Sequence, residues 1–120
     1  MPKDHQKLTE MLNYLCNDSI PINERIDEVL NGERKIPFIG LAFVSKILAI
    51  HDPKLYHVQN KVIKEGLTSF GLNLPRGSSE GSKYSLINES LKRIMKEAKI
   101  DDFAILDSCL WLIHDRINLH

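Results

Sequence analysis

No apolar run in this chain approaches the roughly 20 residues needed to cross a bilayer. Its opening stretch, MPKDHQKLTEML, lacks the apolar segment of a secretory signal. A soluble protein acting in the cytoplasm, with no membrane partner, is the expectation. Cysteine is scarce: Cys16 and Cys109 stand far apart in apolar helical surroundings, too few for a disulfide framework or a zinc site. They are read as a buried, reduced pair. The five histidines show no HExxH or paired-ligand spacing, so neither a metal nor a cofactor is expected. No Ser-His-Asp or Cys-His grouping stands out, and no segment alternates with the period of two that marks a strand.

What is present is a single-domain length of 120 residues, with 42% hydrophobic and 27% charged side chains, enough to build a core and stay soluble. The formal net charge is zero, but its distribution is uneven. Residues 1–33 carry three basic against seven acidic side chains. Residues 34–64 carry Arg34, Lys35, Lys46, Lys54, Lys61 and Lys64 against Asp52 alone. A basic cluster of this kind attracts polyphosphates through steering and counterion release, although a solvated face is the plainer alternative.

The rest of the pattern is helical. Leu8, Met11, Leu12 and Leu15 share one helix face. Pro21 opens a second helix with Ile22, Ile26, Val29 and Leu30 inward, and Gly32 suits a left-handed C-cap. A third runs from Ile39 to about Ile50, closed by His51-Asp52-Pro53, and a fourth from Val58 to Phe70. Residues 71–83, GLNLPRGSSEGSK, read as a loop. Ile87, Leu91, Ile94, Met95 and Ala98 mark a fifth helix. Asp101 can cap a sixth, whose face is Phe103, Leu106, Leu110, Ile113 and Ile117, widened by Cys109 and Trp111. The fold class is all-α, one domain over residues 1–120 with five to six helices.

The segment IPFIGLAFVSKIL, residues 36–48, carries a proline turn, a glycine and then an apolar helix with Ser45 and Lys46. Ten residues on comes HVQNKV. Together, over about residues 34–68, these stretches resemble the helix-hairpin-helix region of the DNA glycosylase superfamily. The resemblance implies a turn whose backbone amides and helix dipole hold DNA phosphates. The residues it would use are Lys35, Phe38, Gly40, Ser45, Lys46, Lys61 and Lys64. Phe38 stands where such hairpins carry a second glycine.

The resemblance also implies a catalytic aspartate at the start of the next helix, where this sequence has Gln59 followed by Asn60. A neutral amide neither ionises nor takes up a full proton, so stabilisation of a developing positive charge is lost. The expectation is a non-catalytic protein that contacts DNA through the backbone, with Gln59 and Asn60 facing the place of a base pocket. The stretch LDSCLWLIHD resembles modules beside nucleic-acid-processing domains in bacterial defence proteins. The alternative is therefore a protein-interaction subunit of a bacterial or phage defence complex, docking onto a partner or onto itself.

Other features are weaker. RGSSEGSK lacks phosphate-loop spacing, though Arg76 and Lys83 could add phosphate contacts. Trp111 is read as core. Tyr56 and His57 are candidates for stacking or groove contact, unless Tyr56 packs under the loop. Asp52, a displaced acid in a third reading, is more simply a turn cap, and Asp107, His114 and Asp115 belong to a helix surface.

Overall fold

The computed structural model describes residues 2–37, 39–69 and 71–118. The described residues are all-α, with six helices and no strand: α1 Pro2–Leu15, α2 Ile22–Asn31, α3 Leu41–His51, α4 Lys61–Ser69, α5 Glu80–Ala98 and α6 Phe103–Asn118. Phe38 and the side chains of Ile113, His114 and Ile117 lie outside the described residues.

Capping chemistry sets the boundaries, and it moves several of them from where periodicity alone puts them. α4 starts at Lys61 rather than Val58, because Asn60 Oδ1 accepts the Ile63 N–H at 2.9 Å. α5 starts at Glu80, inside the expected loop, where the Ser79 hydroxyl accepts from the Ser82 N–H. Asp102, not Asp101, caps α6 by accepting the Ile105 N–H at 3.0 Å. At the end of α2, Gly32 has φ −94° and ψ −162°, so the left-handed C-cap is not formed. Glycine is needed there for space: an added Cβ would lie 2.8 Å from the Glu28 carbonyl oxygen. The one left-handed non-glycine residue described is Lys99, which ends α5 at φ 58°.

The helices form two adjoining cores. Met11, Leu15, Ile26, Val29, Val44, Leu48, Tyr56 and Tyr84 make the first, from α1 to α3 and the start of α5. Ile63, Leu67, Ile87, Leu91, Met95, Phe103 and Leu106 make the second, from α4 to α6. α5 spans both and packs most extensively on α2. Their close crossing depends on Gly81, where a side chain would run into the Asn23 carbonyl. Two cores side by side give a radius of gyration of 15.3 Å, against about 13.6 Å for a typical 120-residue domain.

The extra surface leaves apolar side chains outside. Ile50 is 76% exposed and Phe43 52%. On α6, Ile105, Trp111 and Leu112 are exposed, so Trp111 is not a core residue. The cysteines also depart from the expected buried pair: both thiols are free, Cys16 half-buried and Cys109 exposed. Burial pushes the Cys16 thiol above its ordinary pKa.

Candidate nucleic-acid interface

Between α3 and α4 the chain runs through residues 52–60 without regular structure, yet Tyr56 and His57 are buried. A buried irregular segment must find partners for its backbone groups, and here side chains from other helices supply them. Asn88 Nδ2 donates to the Leu55 carbonyl at 2.8 Å, and Asn88 Oδ1 accepts the His57 N–H at 3.1 Å. The Tyr84 hydroxyl donates to the His57 carbonyl at 2.7 Å. The Gln59 N–H donates to Ser45 Oγ at 2.8 Å, and that hydroxyl donates in turn to the Ala42 carbonyl at 3.2 Å. Ser45, with no exposed surface, thus ties the entrance of α4 to the first turn of α3.

Tyr56 and His57 are therefore internal, and the expected stacking or groove contact is corrected. The Tyr56 hydroxyl donates to Asp18 Oδ1 at 2.6 Å and accepts from Arg25 Nη2 at 2.8 Å. Arg25, 2% exposed, also donates to the Leu15 and Ile20 carbonyls, both at 2.8 Å. That tyrosine contact, first among the causes, holds the Asp18 carboxyl below the usual range. Asp52 caps its own turn, accepting the Lys54 N–H at 3.1 Å.

His57 explains Gln59. The ring stacks on Tyr84 at 4.2 Å between centroids and lies 5.9 Å from Phe103, at the seam of the two cores. Its Nδ1 is 2.7 Å from Asn88 Oδ1, an oxygen whose identity is fixed by the backbone bonds of that amide, so Nδ1 carries a proton. Burial holds the ring's pKa below its ordinary 6.5, against the opposing pull of Asn88, Gln59 and Asp107. Its Nε2 sits 2.6 Å from Gln59 Oε1, so a neutral ring with its lone pair at Nε2 requires that amide to be turned end for end. An amide can turn its NH2 group to that lone pair; a carboxylate has no proton to give. The polar end of Gln59 is thus engaged with His57. Asn60 is committed as well, capping α4 and donating to Asp107 Oδ1 of α6 at 3.3 Å.

The expected site residues divide accordingly. Ser45, Gln59 and Asn60 come together, but their polar atoms act inside the fold. Lys35, Lys46, Lys61 and Lys64 are exposed. Lys61 forms a solvated pair with Glu65 at 3.7 Å, while Lys35, Lys46 and Lys64 make no ion pair with a described residue. Gly40 is exposed at the start of α3, with open space where a Cβ would be. Before it, the Ile39 N–H donates to the Ile36 carbonyl at 3.3 Å, closing a turn around Pro37. The whole connection from α2 to α3 runs over residues 32–40, longer than a tight hairpin.

Electrostatics distinguishes α3 and α4 from their neighbours. α2 has Glu24 in its first turn; α5 has Glu80, and Asp27 accepts the Gly81 N–H at 2.8 Å. That carboxylate already occupies the α5 start, so RGSSEGSK has no open amide cradle there. α3 has neither a side-chain cap nor an acidic residue in its first turn, and the first turn of α4 carries Lys61 and Lys64 with no acid. Cations at a helix N-terminus oppose the dipole, and an anion relieves both. Beside the Pro37 turn lies an open groove of about 510 Å³, lined among the described residues by Lys7, Leu8, Ile36, Pro37 and Ile39. The described residues include no group of three or more His, Cys, Asp or Glu side chains able to hold a metal, and no helix long and apolar enough to cross a membrane. Set against protein-family models, curated proteins and solved structures, the chain matches none.

Proposed function

We propose that this chain is a non-catalytic, cytoplasmic DNA-binding protein that contacts the phosphate backbone through its 34–64 segment, as the resemblance to helix-hairpin-helix modules implies. The observation that carries the reading is the set of exposed lysines, Lys35, Lys46, Lys61 and Lys64, on a segment whose two helices have no acid of their own in the first turn, the one carboxylate near the α4 start being Asp107 on the Asn60 cap. Gly40 leaves room for a phosphate to approach the α3 amides. Contacts of this type position a protein without reading bases, so selectivity for sequence is weak. The engagement of Gln59 with His57 supports binding without glycosylase chemistry.

With four phosphates neutralised, log K falls against log salt with a slope of about −3.6. Fluorescence anisotropy on a labelled duplex of about 20 base pairs, at two salt concentrations, tests this. The Lys46→Glu/Lys61→Glu double variant is expected to abolish binding, and unchanged affinity would remove these lysines from the interface. The exposed Ile105, Trp111 and Leu112 of α6 favour a second reading, an interaction subunit of a defence or DNA-processing complex. A salt-sensitive dimer in sedimentation, without DNA binding, would select it.

A further inference from the structure

The exposed side of α3 is not a simple basic face. Val44, Ser45 and Leu48 point inward, which leaves Phe43, Lys46 and Ile50 on the opposite stripe at i, i+3 and i+7. Phe43 sits in the first turn and is 52% exposed, Ile50 in the last and is 76% exposed, and the lysine stands between them. A duplex backbone offers such a stripe phosphates and sugars only, because its base faces are stacked inside. An unpaired strand offers phosphates and apolar base faces in alternation. Aromatic side chains beside a cationic track are how proteins hold single strands with little regard to sequence.

Resting on the phosphate-binding reading above, we propose that the preferred ligand of this surface is an unpaired nucleic-acid strand. Phe43 stacks on a base, Lys46 neutralises the adjoining phosphate, and Ile50 covers the next base or sugar. Charge complementarity selects this occupant: of the six basic residues between positions 34 and 64, Arg34 and Lys61 pair with Glu28 and Glu65, while Lys35, Lys46, Lys54 and Lys64 make no ion pair with a described residue. The exposed apolar residues of α6 have no Lys or Arg between Ile105 and Leu112, so the same ligand has no hold there.

The test is an anisotropy comparison at low salt of a labelled strand of about 20 thymidines with a 20-base-pair duplex. The strand is expected to bind more tightly. Phe43→Ala is expected to weaken strand binding by about 5- to 150-fold, the range for losing one base stack, while duplex binding changes little. Phe43→Tyr keeps a π face and is expected to retain affinity; Phe43→Leu keeps bulk without it and is expected to behave like alanine. Circular dichroism confirms that each variant is folded, and Ile50→Ser provides an independent lesion at the other end of the stripe. Duplex binding as tight as strand binding, with Phe43→Ala silent on both, overturns this proposal and leaves the phosphate-backbone reading standing. Binding of neither probe overturns both.

Discussion

The first core is threaded with polar groups, while the second is built from aliphatic side chains, a methionine and a phenylalanine. All four buried polar side chains described, Arg25, Ser45, His57 and Asn88, lie in the first core or at its seam with the second. The reason is topological. The second core takes only partly buried side chains, Leu72 and Leu74, from the irregular stretch before α5, whereas the first must hold the irregular chain through residues 52–60 with Tyr56 and His57 buried. Every side-chain bond to Leu55, His57 and Gln59 described above meets that need. The candidate interface straddles the seam, with Lys46 on α3 over the polar core and Lys61 and Lys64 on α4, which packs into the apolar one.

The sharpest way to break the comparison is on α5, where Asn88 serves the seam and Leu91 the second core. Asn88→Leu leaves the part-buried Leu55 carbonyl, the buried His57 N–H and His57 Nδ1 without their partner. At roughly 1–3 kcal/mol for each, a loss of about 3 kcal/mol or more is expected from urea unfolding. Leu91→Ala creates a cavity and costs about 2–5 kcal/mol by a different route. If Asn88→Leu costs under about 1 kcal/mol, the polar seam is not what holds the loop.

Acid is the next lever. His57 has a depressed pKa in the folded state, so below its ordinary 6.5 the unfolded chain binds the extra proton. Stability therefore falls as pH drops from about 6.5 toward the lowered folded value, by at most about 1.4 kcal/mol per pH unit for one group. Asp18 acts lower: its carboxyl is held below the ordinary 3.8, and its contribution is lost as pH falls through that lowered value. Urea midpoints at pH 7, 6 and 5 thus isolate His57 from Asp18. A flat profile over that range would mean the ring takes up its proton without leaving the seam.

The smallest effects compare two glycines that flank the basic turn. Gly32→Ala forces a Cβ against the Glu28 carbonyl and is expected to cost about 1–3 kcal/mol. Gly40→Ala meets nothing and is expected to be neutral or to stabilise by up to about 1 kcal/mol. Its effect should appear in DNA affinity instead, because the methyl group narrows the approach to the α3 amides. Thermal melts beside anisotropy read both quantities from the same variants.

How much of this was legible follows from what each residue does. The 3.6-residue spacing of Met11 and Leu15, Ile26 and Val29, and Ile87, Leu91 and Met95 gives three helices and their inward faces directly. Cap positions were missed where two residues compete, as with Asp101 and Asp102, or where a polar cluster reads as loop, as with Ser78 and Ser79. The exposed lysines were found because cations stay in water. Ser45, Asn60 and Gln59 look like ligand contacts in one dimension, since the sequence does not show that Ser45 holds the Gln59 N–H, that Asn60 reaches Asp107, or that the neighbouring His57 ring is buried against Gln59. Arg25 and Asn88 carried no signal at all: each serves residues about 30 positions away, Tyr56 in one case and His57 in the other.

The two cores also divide the chromophores of the molecule. Tyr56 and Tyr84 are buried in the first core and Tyr14 packs against it, whereas the single tryptophan, Trp111, rides half-exposed on α6 beside the second. Light absorbed or emitted by tryptophan therefore reports on one end of the molecule and tyrosine on the other. A melting curve followed at a single wavelength sees half a protein; the two signals coincide only if the seam at His57 makes both cores unfold as one.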